Sequence, residues 1–309
     1  MLKQNIIFIV GPTGVGKTDI ACHLAQNIKG EIISCDAMQV YREVSIMTGK
    51  PSPEILKSHR HHLVDIVSIT KEFDVAVFRK KTMTAIDAIH RKKKIPIIVG
   101  GSGLYMAILL DGIFQGFGKS DRIRKTLEKE IGQKGVLSLY EKLRDVDPQA
   151  AAKIHPHDSH RIIRALEVFY LSKKPISALQ KKRQGLWGKY NITIFALNRP
   201  RENLYQAINT RVEGMFEQGV VEEIRTLSKK RWSKTASGII GYREIKGYLD
   251  GDYDLERAKY LMKLSTRHYA KRQLTWFRRD KRLIWVMIDH PSSAKDIALE
   301  ISTRILSRR

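Results

Sequence analysis

Gly11-Pro12-Thr13-Gly14-Val15-Gly16-Lys17-Thr18 has the residue types and spacing of a phosphate-binding loop, G-x-x-x-x-G-K-[ST]. Its glycines let backbone N–H groups turn toward phosphate oxygens. Lys17 supplies a point charge, Thr18 a hydroxyl for Mg²⁺, and the helix that follows a favourable dipole. All eight residues are therefore expected to bind a diphosphate or triphosphate, with Thr18 as the metal-facing ligand. A second apt residue is Asp36, directly after the apolar run ending at Cys35. Ligands bind at the carboxyl ends of parallel strands. Asp36 there could hold Mg²⁺ through water or act as a general base, and the plainer alternative is an Asp that closes a turn. Met38-Gln39-Val40-Tyr41 follows, and Gln39 has the amide that suits a purine edge. A third stretch, Ile95–Val99, runs into Gly100-Gly101-Ser102-Gly103 with no acidic residue. A hydrolytic P-loop ATPase uses an Asp there to organise Mg²⁺. Its absence favours phosphate binding without ATP hydrolysis, with Ser102 supplying one hydroxyl.

These residues need a parallel sheet to bring them together. Asn5–Val10, Glu31–Cys35, Ile95–Val99 and 190–197 read as strands, and Lys17–Ile28, 73–91 and 104–110 as helices. The alternation predicts an α/β fold: a P-loop parallel-sheet core flanked by helices, with an all-helical insertion and a helical C-terminal part. Residues 1–118 form the first part of the core and 119–188 the helical insertion. Residues 189–309 return to the sheet and carry basic C-terminal helices, 202–218 and 254–279. Lys259, Lys263, Arg267 and Lys271 recur every four residues and share a helix face. Tyr260, Tyr269, Trp276 and Phe277 are interleaved, as in a platform for unpaired bases. The plainer alternative is a solvated face over core aromatics.

Composition narrows the partners. Lys and Arg number 56 against 32 Asp and Glu, a formal net charge of +24, and most of the excess lies beyond residue 110. A polyanion such as nucleic acid is the expected partner. The two cysteines, Cys22 and Cys35, form no zinc pattern and no disulfide framework. The clusters His59/His61/His62 and His155/His157/His160 lack the spacing of a helix metal site. No apolar run is long enough for a membrane span, and no leader segment is evident, so a cytoplasmic protein without membrane contact is expected. With no coiled-coil pattern, it is expected to be a monomer.

Seven blocks in order carry a family resemblance: GPTGVGKT at 11–18, IISCDAMQVYR at 32–42, HHLVDI at 61–66, VGGSGLY at 99–105, HPHDSHRIIRALEV at 155–168, IGYREI at 240–245 and TRHYAKRQLTWFRRD at 266–280. The chain resembles the bacterial tRNA dimethylallyltransferases, also called tRNA isopentenyltransferases. The resemblance implies transfer of a dimethylallyl group from dimethylallyl diphosphate to the exocyclic amine of the adenosine immediately 3′ of the anticodon, with Mg²⁺ as cofactor. It implies Asp36, Ser102 and Arg211 as catalytic residues, Ser102 standing where the family has Thr. Residues Asp36, Ala37, Met38, Gln39, Ser102, Arg124, His160, Arg161, Ile162, Ile163 and Arg164 fall to the tRNA anticodon stem-loop, joined by Lys263, Arg267 and Lys271 of the basic stripe. Ala207 stands where the family often has Arg, and Gly238 where it has Gln. A small-molecule kinase would share the loop without needing the stripe, and an RNA-binding nucleotide switch would bind tRNA but transfer nothing.

Overall fold

A computed structural model of the chain describes residues 3–114, 118–288 and 292–307. The first strand, β1 (Asn5–Val10), is buried from Ile6 onward. A near-continuous apolar run of this kind is what a parallel strand covered on both faces requires. The phosphate loop follows, with Gly14 and Gly16 at φ 81° and 89°, a left-handed backbone open to glycine. It delivers α1 (Lys17–Asn27). Next come β2 (Gly30–Ser34), α2 (Pro53–Ser58) and the two-residue β3 (His61–His62). Asp74 caps α3 (Val75–Arg91) by accepting from Ala76 N and Val77 N, both at 2.9 Å. The buried strand β4 (Ile95–Gly100) leads into α4 (Gly103–Asp111).

Residues 108–187 form one compact unit, and those before and after it form the other. The smaller unit is helical, as expected: α5 (Asp121–Lys134), α6 (Val136–Val146), α7 (Pro148–Ala151), α8 (Ser159–Ser172) and α9 (Ile176–Gln180). Its boundary falls at residue 108 rather than 119. The chain's entry and exit are tied together there: Leu186 N donates to Leu109 O at 2.8 Å, and Trp187 N to Leu110 O at 2.9 Å. The Gly and Ser signals near 118 mark a later loop, and Gly116 lies outside the described residues.

The larger unit resumes with β5 (Asn191–Asn198), the return to the sheet that the sequence predicts. It continues through α10 (Arg201–Glu217), α11 (Val220–Leu227), α12 (Tyr242–Leu249) and α13 (Leu255–Phe277) to β6 (Ile284–Met287) and α14 (Ala294–Leu306). All strands are parallel, in the order β3-β2-β4-β1-β5-β6. Ile7 and Ile9 of β1 face one buried cluster with Leu24 of α1, Ile97 of β4, Phe195 of β5 and Ile301 of α14. Ile6 and Phe8 point to the opposite face by strand alternation. The central strands are thus immobilised from both sides, which fixes the loops at their carboxyl ends.

Candidate active site

The carboxyl ends of β1, β2 and β4 open onto a cavity of about 450 Å³ within the larger unit. Thr13, Gly14, Gly16, Lys17 and Thr18 line it, with Asp36, Gly100, Gly101 and Arg211. The structure therefore joins the phosphate loop, the strand-end aspartate and the α10 arginine, as the sequence leads one to expect. Gly11, Pro12 and Val15 are not on the wall. Gly11 and Pro12 accept from Lys17 Nζ through their carbonyls, at 3.0 and 2.7 Å. The Val15 side chain is an anchor in the core.

The electrostatics are those of an anion site. Neither Lys17 nor Arg211 forms an ion pair among the described residues. Desolvation, and then the Arg211 charge, push the Lys17 ammonium down to about 7, while Asp36 pulls the other way. Burial also lowers Arg211, again opposed by Asp36. Arg211 Nη2 reaches Thr48 O at 3.5 Å. Gly49 lies so near the guanidinium that any side chain there would overlap it. Two cations held together without an anion are unfavourable unless a ligand supplies the charge.

Asp36 Oδ1 accepts from Met38 N at 2.8 Å and Gln39 N at 3.3 Å, the turn-closing role raised as an alternative. Its Oδ2 has no hydrogen-bond partner among the described residues, so the turn aims a free oxygen without consuming it. Met38 and Gln39 line the same cavity. The Gln39 amide is already bonded at both ends: Oε1 accepts from Ser34 Oγ at 3.0 Å and Nε2 donates to Gly49 O at 3.2 Å. That corrects its reading as a free purine-reading amide. Tyr41 is fully buried, its hydroxyl 2.6 Å from Thr235 Oγ1. Ser102 stands beside the cavity rather than on its wall, its Oγ 3.4 Å from Tyr105 N at the start of α4.

Sequence reasoning does not place Gln273 or His61 on the cavity wall. Gln273 of α13 is 6% exposed and bridges two loops: Oε1 accepts from Thr13 N and Nε2 donates to Gly101 O, each at 2.9 Å. Tyr269 and Arg272, on the same helix, also line the cavity, as does His61. Their signal was a polar and aromatic cluster inside the block at 266–280. The stripe itself is not a uniform free face. Lys263 pairs with Glu213 of α10, Lys259 bonds Glu256 at 2.8 Å, and Arg267 lies over the Tyr205 ring at 5.8 Å. Lys271 is exposed.

In the helical unit, Ile162 and Ile163 are 0% and 7% exposed and belong to its core with Leu127 and Leu143. Their side chains are structural, which corrects their assignment to the tRNA surface. Arg124 is likewise engaged: Nε and Nη2 donate to the buried Glu167 at 2.8 and 2.9 Å, and Arg164 Nη1 donates to it at 2.6 Å. Arg161 pairs with Asp158 at 3.3 Å and His160 is exposed. Both cysteines are buried thiols, with Cys22 raised to about 11 by burial and the Asp19 charge. Among the described residues no cluster of three His, Cys, Asp or Glu side chains could hold a metal.

Fold and site together define a P-loop α/β protein whose cavity joins an anion site to the strand-end carboxylate of Asp36, with no acidic residue after β4. The family model for IPP transferase matches residues 39–280. The chain belongs to the IPP transferase family. It is 44% identical over 290 residues to the tRNA dimethylallyltransferase of Natranaerobius thermophilus, covering 92% of this chain and 87% of that protein. The tRNA dimethylallyltransferase of Thermotoga maritima is 42% identical over 285 residues, covering 91% and 92%. The full-length tRNA isopentenylpyrophosphate transferase of Bacillus halodurans superposes with a TM-score of 0.73 at 37% identity, covering 99% of this chain and 97% of that one. A eukaryotic dimethylallyltransferase acting on tRNA gives 0.85 at 29% identity, covering 99% and 80%.

Proposed function

We propose that this enzyme transfers a dimethylallyl group from dimethylallyl diphosphate to the exocyclic amine of the adenosine immediately 3′ of the anticodon in tRNA, giving isopentenyladenosine. The observation that carries the reading is Lys17 and Arg211 facing an unengaged Asp36 oxygen in one cavity. The phosphate loop, Lys17 and Arg211 stabilise charge on the departing diphosphate, where electrostatic help is largest. As the donor's C1–O bond breaks, diphosphate keeps that electron pair. The adenine nitrogen forms the new C1–N bond, and Asp36 Oδ2 accepts its proton. Tyr269 offers a ring on the cavity wall for an unstacked base, because a duplex-buried adenine cannot reach such a site.

The oxygen donors present suit Mg²⁺, which takes few protein ligands and draws the rest from substrate phosphate and water. Thr18 would hold it, and the ion would supply charge neutralisation on the diphosphate. The partners are tRNA and dimethylallyl diphosphate, handled by a monomer in the cytoplasm. Incubation with labelled dimethylallyl diphosphate, or labelled ATP, and unmodified tRNA tests this. Isoprenoid label must enter the RNA, and label from ATP must not. Transfer from ATP to a small molecule would make the chain a kinase, and tRNA binding without transfer would make it a nucleotide switch.

A further inference from the structure

The cavity has a second, apolar character beside Arg211. Met47, Val212, Met215, Ile239 and Met262 line it, and all are buried. Arg211 marks where the anion end begins. Val212 follows it on α10 and Met215 lies one turn further, about 6 Å along the helix axis. Met47 and Met262 form part of the wall on this apolar side.

That wall has a definite construction. Gly241 has φ +100°, and a Cβ there would stand 2.9 Å from Met262 Cε, 3.1 Å from Met262 Sδ and 3.3 Å from Met47 Cγ. Two methionine side chains thus converge on a bare α-carbon. The backbone beneath Met47 is held firmly: the Glu223 carboxylate accepts from Ser45 N at 2.7 Å, Ile46 N at 2.9 Å and Met47 N at 3.0 Å. Gly241 is fixed too, its N–H donating to Glu244 Oε2 at 2.9 Å. The thioether chains are the adjustable parts of an otherwise rigid end wall, since methionine is unbranched and polarizable.

We infer that Met47 and Met262, closing over Gly241, set the length of the isoprenoid tail and restrict the donor to a five-carbon diphosphate. The inference rests on the transferase reading above. A ten-carbon diphosphate would have to displace both methionines from a packed wall, and overfilling a packed site is unfavourable. Shortening the two side chains opens that space without touching the phosphate loop.

The test compares dimethylallyl and geranyl diphosphate as donors to tRNA, for wild type, Met47→Ala, Met262→Ala, the double variant and Met262→Leu. The ratio of kcat/KM for the ten-carbon over the five-carbon donor is expected to rise about 10–100-fold in the double variant, the range for methylene-scale discrimination in an apolar pocket. The volume-conserving Met262→Leu keeps the wild-type ratio. Inorganic diphosphate binding reports whether each variant retains the anion site. An unchanged ratio in a double variant that still binds inorganic diphosphate overturns the inference. A second arm needs no variant: geranyl diphosphate must compete with dimethylallyl diphosphate on the wild type no better than inorganic diphosphate does, and tighter competition overturns the inference. If wild type moves no five-carbon group into tRNA, the transferase reading itself fails, which is a different result from an unchanged ratio.

Discussion

At the scale of the residue, Lys17 is the group whose state decides most. Its ammonium is held near 7 by desolvation and by Arg211, in place of the 10.5 of a free lysine. Bound diphosphate replaces that repulsion with attraction and draws the proton back. Binding is therefore coupled to proton uptake above the free-state value. Diphosphate affinity should weaken from pH 7 toward pH 9, approaching a tenfold loss per pH unit. Below about pH 6.5, where Lys17 is mostly protonated, its titration should no longer move the affinity. Titration calorimetry of inorganic diphosphate in two buffers of different ionisation heat would show both the trend and the proton taken up. A pH-independent affinity with no proton uptake would mean that Lys17 is already charged. Stability of the ligand-free fold runs the other way: folding lowers this pKa, so Lys17 makes that fold gain stability as pH rises from about 7 toward 10.5. For Asp36 the separation is between turn and chemistry. Asp36→Asn keeps an oxygen for Met38 N and Gln39 N but cannot take a proton. Turnover should fall about 10²–10⁴-fold, with tRNA affinity much less affected, as single-turnover rates and filter binding would show.

At the scale of the element, α13 is more than a basic surface helix, because Gln273 fastens the phosphate loop to the segment after β4. Gln273→Leu strands Thr13 N and Gly101 O. The cost should be about 1–3 kcal/mol for the unpaired buried groups, read by urea unfolding, with weaker diphosphate binding beside it. Unchanged binding would show that the loop holds its shape unaided. The elements differ in how far the sequence exposes them. The phosphate loop, Asp36 and the long strands β1, β4 and β5 are local patterns, contiguous and strongly apolar, so their types and places could be read directly. The two residues of β3 give no periodic signal, and α2, α11, α12 and α14 lacked an assignment for want of a long pattern. Met47, His61 and Met262 reach the cavity from a loop, a strand and a helix far apart in the chain, a convergence that no local spacing encodes. The stripe failed in an instructive way. Periodicity placed Lys259, Lys263 and Arg267 on one face, but could not show that α10 lies opposite with Glu213 and Tyr205.

At the scale of the whole molecule, the charge of +24 fits a tRNA partner, and no helix among the described residues is long and apolar enough to cross a membrane. The basic residues are not equivalent, however. Lys271→Gln should weaken tRNA binding broadly and flatten its salt dependence by about one slope unit for each phosphate that the ammonium neutralises. Lys263→Gln removes a cation already paired with Glu213 and should leave the slope as it was. Affinities across a salt series distinguish them, and equal flattening by both would mean that the Glu213 pair opens for RNA. The sheet order has a consequence for how the chain is made. β1 lies between β4 and β5, and its pairing with β5 runs from Asn5↔Asn191 to Val10↔Ala196, while α1 packs on α14. During synthesis, the strand that carries the phosphate loop emerges first and lacks one neighbour until the whole helical unit has been translated. Its apolar helix waits longer still, for α14 near the end of the chain. Pairings so distant in sequence close slowly, and a half-finished sheet offers an open apolar edge to other chains. The helical unit, with its own core, can fold in the meantime, so the protein acquires its catalytic cavity among the last events of its biogenesis.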